Sequence, residues 1–176
     1  MASRDLLHNL GVVQLSPPTD QHAASFTSKV LDTGSFESAM VLIEIGGFTG
    51  ETGSNYFTFT LQESDDTIGA DFTTVGTATP PTPSGSPGPS DVQQPGSFQA
   101  GNPNFVEVTG ANATVVINAA GTINQVYALG YFGRKRYVRV NAVLTGTLTL
   151  AQVSIVGLLG HAQIMPVTSP AAITAS

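Results

Sequence analysis

The chain has no cysteine and no tryptophan, and it is poor in charge, above all in positive charge. Without cysteine there is no disulfide scaffold, no thiol nucleophile and no thiolate metal site. Charged residues are only 10% of the 176, where an ordinary soluble domain carries about 25%. Six Lys and Arg against twelve Asp and Glu leave a net charge of -6. That balance argues against a nucleic-acid binder held by phosphate contacts. No apolar run approaches the roughly 20 residues of a membrane span. The start, Met1 to His8, lacks an apolar signal core and a cleavage site, so synthesis in the cytoplasm without export by the usual route is expected.

What is present is enough for one domain of ordinary size, alone or with arms. Hydrophobic residues reach 41%, and nineteen glycines and eleven prolines punctuate them. The charges that exist are unevenly placed. Asp91 is the only one between Asp71 and Glu107, and none follows Arg139. A monomer in water usually scatters charge over its whole surface. A neutral surface of Ser, Thr, Asn and Gln would fit this pattern. A surface that lies against other subunits, where charge is costly to desolvate, fits better, because the C-terminal stretch is apolar as well as uncharged.

Residues 1–24 read as an N-terminal arm. Leu6, Leu7, Leu10, Val12, Val13 and Leu15 show no strong period, and Ser16-Pro17-Pro18-Thr19 breaks any regular element. From Ser25 the pattern is of short strands. Phe26–Asp32 ends at Thr33-Gly34, and Ala39–Ile45 ends at Gly46-Gly47. Tyr56–Glu63 alternates Phe57, Phe59 and Leu61 with Thr58, Thr60 and Gln62, a strand with one buried face. Ser64-Asp65-Asp66 is a turn, and Phe72–Val75 returns. Residues 78–103 form a Pro/Gly-rich loop, in which proline rules out helix and central strand. Strands resume at 104–108, 113–117, 125–132, 136–143 and 147–156, rich in β-branched and aromatic residues. No helical stripe appears. The spacing predicts an all-β protein, a jelly-roll-like antiparallel β-sandwich of about eight strands over 25–160. A second arm of small residues follows at 161–176.

Catalytic and metal signatures are missing. His8, His22 and His161 are the only candidate bases, they sit on or beside the arms, and there is no Gly-x-Ser-x-Gly elbow. They lack zinc spacing, so neutral surface or interface positions are expected for them. Asp65, Asp66 and Asp71 surround one turn, but without a calcium-loop pattern they read as turn residues. No phosphate loop or dinucleotide fingerprint occurs. No enzyme activity, cofactor or metal is therefore expected. Arg134, Lys135, Arg136 and Arg139 hold four of the six positive charges. They form either a docking patch for a carboxylate-rich partner or a solvated strand end paired with acids such as Glu44 or Glu63. Strand alternation places Val138 and Val140 inward, and Tyr137 and Arg139 outward.

The strings Phe59–Asp66, Phe72–Val75 and Arg136–Val140 resemble the rhythm of discoidin-like sandwiches. Gly130–Val140 and Leu158–His161 are more similar still to small structural proteins encoded among the head genes of tailed bacteriophages and gene transfer agents. The likeness in rhythm spans residues 25–165, and the close match is confined to those strings. It implies a capsid cement or decoration protein on the outer surface of the virion. Such a protein bridges neighbouring major capsid proteins, commonly as a homotrimer, without direct contact to nucleic acid or membrane. Leu6, Leu7, Leu10, Arg134, Lys135, Arg136, Arg139 and His161 are the expected partner contacts. A head-spike, fibre-base or tail protein would share the fold and the oligomeric habit. A carbohydrate-binding module is the rival of another class, with Tyr56, Tyr131 and Tyr137 as its few candidate aromatics.

Overall fold

The alternation in Tyr56–Glu63 is realised as a strand with Phe57, Phe59 and Leu61 buried and Thr58, Thr60 and Gln62 partly exposed. The same holds for its neighbour, where Val138, Val140 and Ala142 are fully buried. These faces form half of a core closed by a second sheet. The computed structural model describes residues 10–75, 92–93, 105–107, 114–118, 123–131 and 133–162, with 92–93, 105–107 and 161–162 as backbone.

Among these residues the strands are β1 (Leu10–Asp20), β2 (Phe26–Thr27), β3 (Leu31–Asp32), β4 (Phe36–Thr49), β5 (Tyr56–Ser64), β6 (Thr73–Thr74), β7 (Val92–Gln93), β8 (Phe105–Glu107), β9 (Thr114–Ile117), β10 (Gln125–Tyr131), β11 (Tyr137–Thr145) and β12 (Leu150–Ala162). A single 3₁₀ turn spans Gly69–Asp71. The first sheet runs β1-β12-β4-β10, with β7 and β8 sharing the far edge of β10. The second runs β2/β3-β11-β5, with β6 and β9 sharing the far edge of β5. All pairings are antiparallel except β8 with β10.

The order of pairing identifies the architecture. The second half of the chain pairs with the first half in reverse: β9 with β5, β10 with β4, β11 with β3 and β2, β12 with β1. Successive pairs fall alternately in the two sheets. A long hairpin rolled up in this way is a jelly roll of eight strand positions. The fold class expected from the sequence is the one observed.

Two boundaries are corrected. Leu10–Asp20 belongs to no arm: it is the edge strand β1, paired with β12 from Leu10↔Gly160 to Asp20↔Gln152. Pro17 and Pro18 are accommodated because register shifts between Gln14 and Thr19 release the ladder there, and because an edge strand tolerates a missing donor. At the other end β12 continues through His161 and Ala162, so the C-terminal arm does not begin at 161. Residues 1–9 and 163–176, and the loop 78–103 apart from Val92–Gln93, lie outside the described residues.

Two expected strands also differ in length. Phe26–Asp32 is split at Ser28, which is buried. Its N–H donates to the Val140 carbonyl (2.9 Å), and its Oγ accepts the Val140 N–H (2.9 Å). The next N–H, of Lys29, crosses to the Leu15 carbonyl of the other sheet (2.9 Å). The side chain of Ser28 thus stands in for a ladder partner while the backbone bends between sheets. Gly46-Gly47 does not end β4. Gln152 opposite places its Oε1 to accept the Gly47 N–H (3.2 Å), and a bulge in β4 sets the two glycines against that one residue of β12.

The core is rich in phenylalanine at one end. Phe57 stacks on Phe59 (centroids 5.5 Å) and meets Phe26 and Phe48 edge-on, geometries that add to simple burial. The opposite wall is Val41, Ile43, Ile45, Val153, Ile155 and Leu159.

Candidate interaction surface

Three of the four basic candidates, Arg134, Lys135 and Arg136, fall at the turn between β10 and β11, and Arg139 follows on β11. Gly133 is needed at that turn, since a Cβ would lie 2.2 Å from the Tyr131 hydroxyl. That hydroxyl donates to Glu63 Oε2 (2.7 Å) and accepts the Lys135 N–H (3.1 Å). The turn is therefore built around a buried tyrosine, 5% exposed. Lys135 pairs with Asp65, which raises the pKa of the ammonium. Arg136 forms a two-point contact with Asp32, Nε to Oδ1 and Nη2 to Oδ2, both 2.9 Å. That guanidinium holds the Asp32 carboxyl below its ordinary value. The Arg139 guanidinium lies over the Phe72 ring (4.0 Å to the centroid) and donates to Gln62 Oε1 and the Gly69 carbonyl, both 2.9 Å. Burial pulls its pKa down. Arg134 is exposed, and no hydrogen bond or ion pair of it is seen among the described residues.

Three of the four cations are thus engaged within the chain. Their partners are Asp32, Asp65, Gln62 and Phe72; of the two acids the sequence offered as examples, Glu63 accepts the Tyr131 hydroxyl and also acts on Lys135 through its charge, and Glu44 bonds none of the three. Of the remaining candidates, Leu10 is partly exposed on β1, and His161 falls on β12. Leu6 and Leu7 lie outside the described residues.

The acidic and histidine candidates have local duties. Asp66 Oδ1 accepts the Ile68 N–H (2.8 Å), a side-chain turn. Asp20 accepts the Ala151 N–H (2.9 Å) and pairs with His22 Nδ1 (2.8 Å). The Ala151 bond comes first in lowering the Asp20 pKa, and it latches the end of β1 onto β12. Among the described residues no three His, Asp or Glu side chains gather as a metal set would require. Among the described residues, one cleft of about 200 Å³ lies by Thr33, Glu37 and Tyr131, and another of about 300 Å³ lies by Asp20, Glu44 and Gln152. Of the tyrosines considered for sugar stacking, Tyr131 is buried and Tyr137 carries the Arg136 guanidinium at 5.1 Å.

The outer face of the β1-β12-β4 sheet is the feature that sequence reasoning missed. Register sets Val12, Leu158 and Met40 side by side across three strands. The next row is Gln14, Val156 and Leu42, and Leu10 lies one row above. These side chains point away from the core, and Val12 is 55% exposed. Among the described residues, the charge nearest these rows is Glu44, beside Ser154 in the row below. An antiparallel sheet facing water normally presents polar residues there. The available signal was that both parities are apolar in Met40–Ile43 and Ile155–Leu159, but which parity faces out requires the topology.

No protein-family model matches the chain, and no curated protein matches it.

Proposed function

We propose that this chain is a structural protein of a virus particle, a cement or decoration protein of the capsid. It would act as a homotrimer that bridges neighbouring major capsid proteins at the outer surface. The observation that carries the reading is a jelly roll whose exposed sheet face is apolar and nearly free of charge. Such a face suits a protein that works in contact with other subunits. The likeness of Gly130–Val140 and Leu158–His161 to phage head proteins points the same way. No enzymatic role is proposed, and the cations at the β10–β11 turn serve mainly to hold the sandwich end together, with Arg134 left to meet a partner.

Binding only to the assembled shell would stabilise that shell by mass action. The test is co-sedimentation of the purified chain with expanded capsids assembled from the major capsid protein of the same genome. Saturable binding, and shells that survive higher temperature when decorated, are expected. Failure to co-sediment with expanded shells would overturn the proposal.

A further inference from the structure

We propose that the cleft where β1 bows away from β12 is a binding site for a guanidinium group. The irregularity of β1 makes the cleft. Its register on β12 jumps from Ser16↔Ile155 to Thr19↔Val153, so Pro17 and Pro18 stand opposite the one residue Ser154. Ser154 lines the resulting space of about 300 Å³, with Pro18 and Asp20 on the β1 side and Glu44 on the β4 side.

The serine points to a ligand. Its neighbours Val153 and Ile155 lie in the core, so alternation turns Ser154 outward, into the cleft. It is only 7% exposed, and no hydrogen bond of its hydroxyl is seen among the described residues. Ser28 and Ser64 are as deeply buried, and their hydroxyls bond backbone groups and Asp66. A buried hydroxyl without a partner is costly. Here a ligand can supply the partner.

Charge selects the ligand. Glu44 is exposed, and no hydrogen bond or ion pair of it is seen among the described residues. Asp20 accepts the Ala151 N–H (2.9 Å), the His22 N–H (3.2 Å) and the His22 ring (2.8 Å). These fill three of the roughly four acceptor positions of a carboxylate, and they hold it in place with one position to spare. Among the described residues no lysine or arginine lines the cleft, so the site lacks a cation of the kind it suits. A metal ion is a poor match, because three His, Asp or Glu side chains do not gather there. The acceptors stand on three strands instead of around one point. That spread suits the planar, five-donor guanidinium better than the compact ammonium, and Pro18 offers an apolar wall to its methylene stem.

The site does not rest on the capsid reading, and either can fail without the other. The experiment is an NMR amide-shift titration of the full chain with two probes, a capped Gly-Arg-Gly peptide and propylguanidinium. Saturable shifts at Gly46, Gln152 and Ser154 are expected. The same peptide with neutral citrulline in place of arginine is expected to bind at least about tenfold more weakly. Glu44→Gln is expected to weaken binding by about tenfold, and Ser154→Ala by about threefold. Ser154→Ala should also melt no lower than the wild type, whereas a hydroxyl that held the fold together would lower the melting temperature. Glu37→Gln, an exposed carboxylate of the same strand outside this cleft, is the control and should bind as the wild type does. Tighter binding of the peptide names an arginine of a partner protein as the source, and tighter binding of propylguanidinium names a free metabolite; both uphold the site. The proposal is overturned if no saturable shift occurs at these amides, or if the citrulline peptide binds as well. A folded Glu44→Gln variant that binds undiminished also overturns it, as does calcium chloride shifting the same amides at lower concentration than the peptide.

Discussion

The two sheets are alike inside and unlike outside. Both bury aliphatic and aromatic side chains on their inner faces. On the outer face of β11 and β5 the rows read Thr27, Asn141, Thr60 and Thr114, then Arg139, Gln62 and Thr74. Thr27 even donates to Asn141 across the strands (3.3 Å). On the outer face of β1, β12 and β4 the corresponding rows are Val12, Leu158 and Met40, then Gln14, Val156 and Leu42. Period-two alternation of apolar and polar residues survives only in the sheet of β11 and β5. Alternation in a strand therefore reports what lies outside it as much as what lies inside.

The change with the largest expected effect removes both faces together. Phe57→Ala empties the centre of the aromatic cluster and is expected to cost about 3–5 kcal/mol in urea unfolding. Gly146, in the loop from β11 to β12, has φ +72°, and a Cβ there would lie 2.1 Å from Asn55 Oδ1. Gly146→Ala is expected to cost about 1–3 kcal/mol by the same measurement. Arg139→Ala strips the polar sheet of its cation on Phe72 and of two hydrogen bonds, about 1–2 kcal/mol, with Arg139→Lys recovering only part.

Asp32→Asn tests the polar end of the molecule through pH. The folded carboxyl is held below its ordinary value of 3.8, chiefly by Arg136. Its contribution is thus fully present above that value and fades as pH falls through the lower, folded one. Because Arg136 is 57% exposed, the loss at neutral pH is expected to be about 0.5–1 kcal/mol. Unfolding midpoints of the variant and the wild type should converge in acid. The smallest effect belongs to Val143→Glu on the polar face, within about 0.5 kcal/mol.

The strand pattern was legible wherever one side of a strand meets water. Phe57, Phe59 and Leu61, and likewise Val138 and Val140, announced their buried side by alternation. β1 was not legible, because Pro17 and Pro18 mask a strand that only an edge position and two register shifts make possible. The break at Ser28 depends on a side chain replacing a ladder partner from residue 140, and no local pattern encodes that. The cluster Arg134–Arg139 stood out by composition, but its partners Asp32 and Asp65 lie 104 and 70 positions away in sequence. The uncharged stretch after Arg139 was visible as an anomaly. Its outward residues became identifiable only once register separated Val156 and Leu158 from Ile155 and Leu159.

The contrast between the two faces is tested most directly by hydroxyl-radical footprinting of the wild-type chain, dilute and concentrated. Side-chain oxidation is read at Val12, Met40 and Leu158 on one face, and at Val116 and Val143 on the other. Protection that grows with concentration at the first three, with the valines of the second face unchanged, is the predicted result. Equal oxidation of both faces at every concentration would contradict it.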